Sequence, residues 1–340
     1  MDQQGGSHPK NSGLVEICAM NDSAKHRILL TGASGTLGRN FLELAGNDPN
    51  LQILALLRKE SRKVMGWSSV EERRLDLLDR HSISAVVEEF EPDTIIHAAA
   101  TGMEFPKTEW FDLIRFNVDF TVSLCEAAAK IGTSHFIFIG TGLAYKPLDR
   151  PLTEEDALET LHPYGASKAA ADMLVRSAAV EFGLPLTVLR PFSFTGLGDN
   201  RNRLFPSLLR AAAEGEPLNL TSGLQVRDHV SAGDVARGIL AAMRHPAAPG
   251  KRPEIYNLGG GCTKSVRELV VGVVERLGIN VDLRFGARQP GPYEPRFLVA
   301  DSSKARKFLG WAPGEDLATA VWQLSKESFP VLNLRPPSHC

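Results

Sequence analysis

Apolar and polar positions follow two rhythms along this chain, and the switches between them mark out strands and helices. Arg27 to Leu30 is a short, mostly apolar run ending in a glycine-rich turn, after which Leu37, Phe41, Leu42 and Leu44 recur at helical spacing. The same reading predicts strands at 51–57 and 74–78, a helix at 83–90, a strand at 94–97, a long helix at 110–131 and a strand at 135–140. A helix over 164–182 and a strand over 186–190 follow. Strands alternating with helices specify a parallel sheet covered on both faces, so the expected class is α/β with a doubly wound parallel sheet.

Beyond Pro191 the rhythm changes. Residues 195–203 are rich in Gly, Asn and Arg, a helix is expected over 206–214, and short strands near Leu218 and Gln225. A helix over 234–244 and a strand over 254–258 suit a return to the main sheet. The expected organisation is a tail over 1–25, a dinucleotide-binding domain over 26–192 rejoined by 231–258, a smaller C-terminal α/β substrate lobe from 193–230 and 259–328, and a tail over 329–340. Met20 begins Met-Asn-Asp-Ser-Ala-Lys directly before the first strand, so translation is expected to start there.

Composition narrows the function classes. The 340 residues carry 38 Lys plus Arg against 40 Asp plus Glu, a formal net charge of -2, with no basic block. That balance argues against nucleic acid or a membrane surface as partner. No stretch reaches the roughly 18 apolar residues of a membrane span, and the first 25 residues lack the basic start and apolar run of a signal peptide. Cys18, Cys125, Cys262 and Cys340 are too scattered for a zinc site or disulfide framework, which fits a reducing cytoplasmic location. His97, His135, His162 and His229 show no ligand spacing, so no metal is expected.

The turn Thr31-Gly32-Ala33-Ser34-Gly35-Thr36-Leu37-Gly38 places glycines at G-x-x-G-x-x-G between a strand and a helix, the context of a Rossmann-type nucleotide site. Gly32, Ser34, Gly35, Thr36, Leu37 and Gly38 are therefore candidates for a pyrophosphate cradle at a positive helix end. About 20 residues on, where an acid would grip the ribose of NAD, stand Arg58 and Lys59. Two cations there suit a 2′-phosphate, so NADP is preferred over NAD, unless the pair is only a solvated strand end. Asp76 and Leu77, at the end of the next expected strand, are placed near the adenine.

Tyr164-Gly165-Ala166-Ser167-Lys168 sets a phenol and an ammonium four residues apart on one helix face. A phenol titrates near 10 and exchanges protons poorly at pH 7 unless a cation lowers it, a field expected here from Lys168. Thr141, after the fifth strand, could hydrogen-bond a substrate carbonyl. With these residues the chain resembles the extended short-chain dehydrogenase/reductase family, in its nucleotide-sugar epimerase and dehydratase branch, over about residues 26 to 328. The resemblance implies that Ala98, Ala99 and Ala100, ending Asp93-Thr94-Ile95-Ile96-His97, line the cofactor with Pro191 of Leu189-Arg190-Pro191. It implies a supporting role for Asn117, diphosphate contacts for Arg227 of Gln225-Val226-Arg227-Asp228-His229-Val230 and for Arg288, and sugar contacts for Thr101, Thr141 and Ser193. Residues 101–110 and 195–203 would shape the sugar pocket. Arg227 and Arg288 could instead be salt-bridge residues. The resemblance further implies a homodimer through helices 110–131 and 164–182.

Departures narrow the reaction. In the branch's 4,6-dehydratases the Thr precedes an Asp-Glu pair, whereas Thr141 precedes Gly142-Leu143. The 3,5-epimerising type has a Cys just after the Ser/Thr, which is also missing. Ser193 stands where nucleotide-sugar members commonly have Asn. What remains is hydride transfer at a ring carbon. The cations at 58 and 59 favour reduction of a 4-keto (6-deoxy) nucleotide sugar, with an NAD-dependent 4-epimerase as the alternative and a reductase of a non-sugar ketone, or a non-catalytic NADP-binding regulator, behind it.

Overall fold

The computed structural model describes residues 25–64, 66–102 and 108–337. The expectations for residues 1–24, including a start at Met20, and for 103–107 of the segment 101–110 lie outside them.

β1 (His26–Thr31) leads through the glycine turn into α1 (Thr36–Ala45), followed by β2 (Leu51–Leu57), β3 (Val70–Arg74), α2 (Arg80–Phe90) and β4 (Thr94–His97). α3 (Trp110–Leu113) runs through a π-helical segment, Ile114–Asp119, into α4 (Phe120–Lys130), then β5 (His135–Ile139), α5 (Pro163–Phe182) and β6 (Leu186–Pro191). β7 (Ser193–Thr195), α6 (Leu204–Glu214), β8 (Leu218–Leu220), β9 (Val226–Arg227) and β10 (His229–Ser231) leave the main sheet. α7 (Ala232–Arg244) and β11 (Glu254–Leu258) return to it, and α8 (Val266–Leu277), β12 (Leu283–Phe285), β13 (Phe297–Leu298), α9 (Ser303–Leu309) and α10 (Leu317–Ser328) complete the chain.

Seven strands form one parallel sheet in the order β11-β6-β5-β4-β1-β2-β3. The unbroken apolar run of β2 exists because both sheet faces are covered. Ile53, Ala55 and Leu57 join the core under α1 and α7, with Phe41, Leu42, Val235 and Ile239. Leu54 and Leu56 join the opposite core, with Val86 and Val87 of α2, Leu124 of α4 and Val175 of α5. β1 lies between β2 and β4, so the connections diverge there and open a crevice at the strands' carboxyl ends.

The third strand departs from expectation. It occupies Val70–Arg74, one segment earlier than the apolar run 74–78 suggested. The reason is its edge position, where charge is favoured over apolar alternation: Arg73 pairs with Glu71 and Glu89, and Arg74 with Glu72. The run from Leu75 instead turns into the crevice, burying Leu77.

A third core joins Leu208 and Leu209 of α6, Leu269 and Val270 of α8, and Val321 and Leu324 of α10. Where a tail was expected after Ser328, Phe329, Leu332 and Leu334 pack on this core and the Leu334 carbonyl accepts from Trp322 Nε1 at 3.0 Å. Among the described residues no helix is long and apolar enough to cross a membrane.

Candidate active site

The glycine turn separates three demands on its glycines. Gly32 takes φ +76, and a Cβ there would lie 2.6 Å from the carbonyl carbon of Ala98. A Cβ on Gly38 would come within 2.3 Å of the Gly32 oxygen, so α1 packs directly against the turn. At Gly35 the nearest atom to a Cβ would be that oxygen at 3.3 Å, and the added carbon would project into open space beside the crevice. Gly35 stands at the N-cap of α1 and offers no side-chain cap, leaving the first-turn N–H groups for a ligand. Beneath the turn, buried His97 joins Thr31 Oγ1 through Nδ1 (2.7 Å) and Thr121 Oγ1 through Nε2 (2.8 Å), fixing the end of β4 where Ala98, Ala99 and Ala100 line the crevice.

Adjoining hollows share residues and form one crevice. Gly32, Gly35, Ala98 and Ala100 belong both to the cavity at Tyr164 and to a hollow holding Ser34, Leu57, Arg58 and Ser61. Arg58, Leu77 and Phe116 continue into an outer hollow with Lys59, Asp76 and Thr101. Arg58 and Lys59 thus lie on the crevice, but Arg58 Nε is paired with Glu60 at 3.2 Å and its guanidinium lies 5.4 Å from the Phe116 ring centre. Asp76 is exposed in the turn after β3, accepting from the Leu78 N–H at 2.9 Å. Thr101 falls in the outer hollow and not in the cavity at Tyr164.

That cavity, of about 340 Å³, brings together Gly35, Thr36, Leu37, Gly38, Thr141, Tyr164, Pro191, Ser193 and Arg227. Thr141 caps a short 3-10 turn, its Oγ1 accepting from the Leu143 N–H at 3.2 Å. Asn117 lies in the π-helical segment: Oδ1 accepts from the Thr101 N–H (2.8 Å), and Nδ2 donates to the Thr101 carbonyl (2.9 Å) and to Ser167 Oγ (2.8 Å). It thereby ties α5, one residue before Lys168, to the loop after β4.

The electrostatics of the Tyr164 and Lys168 pair differ from expectation. Burial pushes the Tyr164 phenol up to about 12, and the charge that opposes this is Arg203, not Lys168. Lys168 is itself desolvated, and burial pulls its ammonium down to about 7 against a smaller opposite effect of Asp172, which weakens the field expected from it. Its Nζ sits 4.1 Å from the Phe138 ring centre, and no described residue accepts a hydrogen bond from it. An open cradle at Gly35, uncapped helix N–H groups and a buried ammonium without an acceptor fit a phosphate-bearing, hydroxyl-rich cofactor lying along the crevice.

In the second lobe Ser193 is half-buried at the cavity, its N–H donating to the Asp228 carbonyl at 3.1 Å. Arg227 is paired with Glu294 at 3.2 Å and also donates to the Val226 carbonyl, so both readings of it meet in one side chain. Arg288 is exposed on the loop after β12 and does not line the cavity. Of the segment 195–203 expected to shape the sugar pocket, Asp199 and Arg203 line the cavity without having been singled out, and Phe192 and Phe194 on the same cavity were not anticipated. The polar, Gly-rich composition of 195–203 was the signal available, and it marks a loop without choosing a residue.

Residues 28–259 match the model of a family described as the NAD dependent epimerase/dehydratase family. A UDP-glucose 4-epimerase of Lactobacillus helveticus is 26% identical over 325 residues, covering 88% of this chain and 97% of that protein. A UDP-glucose 4-epimerase of Corynebacterium glutamicum is 31% identical over 249 residues, covering 67% and 73%. Among solved structures, the dTDP-glucose 4,6-dehydratase DesIV of Streptomyces venezuelae, with NAD and TYD bound, superposes with a TM-score of 0.79 at 25% identity, covering 90% of this chain and 98% of that one.

Proposed function

The chain belongs to the NAD dependent epimerase/dehydratase family, and from that premise we propose that it oxidises and re-reduces carbon 4 of a nucleotide-diphosphate sugar, acting as a 4-epimerase that retains NAD. The observation that carries the reading is the single cavity in which Thr141 and Tyr164 meet the glycine turn on one side and Arg227 on the other. Dehydration is disfavoured by more than missing acids. A side chain at Gly142 would meet the Phe192 ring at 2.9 Å, so an acidic residue has no room there.

The glycine turn would hold the cofactor pyrophosphate, Arg58, Lys59, Asp76 and Leu77 its adenosine end, and Ala98, Ala99, Ala100, Pro191 and Lys168 the nicotinamide end. Bound there, NAD supplies the hydride acceptor. Tyr164 takes the proton of the sugar hydroxyl at its phenolate oxygen and returns it on re-reduction, a contribution worth roughly 100 to 10,000-fold. Thr141 holds the same oxygen through its hydroxyl, Asn117 and Ser167 keep α5 in register, and Arg227 takes the diphosphate with its planar fork. Ser193 and Thr101 are assigned to the rim of the substrate site.

Arg58 meets Glu60 in an exposed pair at 3.2 Å, which competes with a 2′-phosphate for the guanidinium and so favours the reading without net reduction. A ketoreductase using NADPH stays the second reading because Arg58 and Lys59 both line the outer hollow. Cofactor released by denaturing fresh protein separates them. Near one NAD per chain, with UDP-glucose and UDP-galactose interconverted without added reductant, supports the epimerase. An empty site and turnover of a keto sugar only with NADPH would overturn it.

A further inference from the structure

Arg203 precedes α6 as its N-cap residue and lines the same cavity as Tyr164. Its guanidinium is held on two sides: Nη1 donates to Asp199 Oδ1 at 3.0 Å, and its centre lies 5.1 Å from the Phe194 ring centre. Asp199, buried, is fixed in turn by Thr195 Oγ1 at 2.7 Å and reached by Thr36 Oγ1 at 3.4 Å, from the first residue of α1. One carboxylate therefore links the arginine of the second lobe to the nucleotide turn of the first.

We propose that Arg203 is a positioning residue for Tyr164, a cation that the second lobe holds across the cavity from the phenol through Asp199. The proposal rests on the reading of Tyr164 as the proton-transferring group. Of the charged and titratable groups around the phenol, Lys168 on the same helix is turned onto Phe138, His162 meets the Tyr164 ring edge-on at 6.3 Å with its proton affinity lowered by burial, and Arg227 is paired with Glu294. His229 is half-buried with its ring edge-on to Phe205, and desolvation together with the charge of Arg203 lowers its proton affinity. Both arginines on the cavity carry a carboxylate partner, and Arg203 is the one whose charge favours the phenolate against burial.

The test is the pH profile of kcat for the intact enzyme and for Arg203→Met, Arg203→Lys and Tyr164→Phe, with melting temperatures taken alongside. Arg203→Met is expected to move the limb set by the phenol upward by about half to one pH unit, and Arg203→Lys to restore most of that shift. A superimposable profile for Arg203→Met, whatever its kcat, overturns the proposal, as does a shift that Arg203→Lys fails to reverse. Near-normal turnover by Tyr164→Phe would instead overturn the underlying reading of the phenol. If Arg203→Met melts much earlier, Arg203→Gln decides in its place: its limb must move upward while that of Arg203→Lys stays within about 0.2 pH unit of the parent, and an unmoved Arg203→Gln limb overturns the proposal.

Discussion

Lys168 carries the sharpest residue-level consequence, because a buried ammonium near 7 ties stability to pH. Between that value and its ordinary 10.5 the unfolded chain binds a proton that the folded chain does not. The folded state therefore loses stability as pH falls from above 10.5 to about 7, and no more below it. Cofactor-stripped protein is expected to gain about 2 kcal/mol relative to Lys168→Met between pH 7 and pH 9, read from urea midpoints; equal slopes would mean that Lys168 is solvated. Tyr164→Phe, in contrast, should lose at least 100-fold in kcat while ligands still raise the melting temperature. The pairing of these residues was legible in sequence because four residues on one helix is a local fact. Their electrostatics were not, since Arg203 reaches the phenol from a loop some 40 residues downstream and burial reverses the direction expected from Lys168 alone.

At the scale of elements, the turn before α1 separates ligand binding from folding within three residues. Gly35→Ala places its Cβ beside the crevice with only one 3.3 Å contact, so thermal stability should be nearly unchanged while cofactor affinity falls tenfold or more. Gly38→Ala drives a carbon to 2.3 Å from backbone, and helix and turn must separate. It should lose several kcal/mol as well as binding; calorimetry with and without NAD distinguishes the two. This turn could be read from sequence because the glycine spacing, the preceding strand and the following helix are contiguous. The third strand could not, since Val70–Arg74 is charged at the sheet edge while the neighbouring leucines, apolar enough to pass for a strand, serve the crevice. Asn117 was legible by resemblance, but the π-helical segment that turns it toward Thr101 and Ser167 leaves no mark in the spacing.

For the whole molecule, two features set expectations. Phe111 and Ile114 on one helix, and Met173, Leu174, Val180 and Phe182 on α5, are large exposed apolar side chains on packed neighbours. A second copy of the chain is the occupant expected there, so sedimentation should give twice the chain mass, and Phe111→Glu with Val180→Glu should give one. Desolvated histidines lie in both lobes, buried His135 held down to about 4 and half-buried His229 to about 3. Each contributes stability that is complete above its ordinary 6.5 and is lost as pH falls toward those values, so urea midpoints should drop between pH 7 and pH 4 in a single transition. His135→Gln and His229→Gln, if folded, should flatten that slope.

The chain passes between its lobes at β6 to β7, at β10 to α7 and again after β11; the first two crossings run directly from element to element, and the third, 259–265, is tied down where the Gly260 and Gly261 N–H groups donate to Asp228. Two bodies joined by one thread can tumble freely, but bodies stitched at several points along a seam keep a single axis. Any opening of the crevice is then expected to follow one swing, as a door does, with the contact of Thr36 and Asp199 across the gap as its catch.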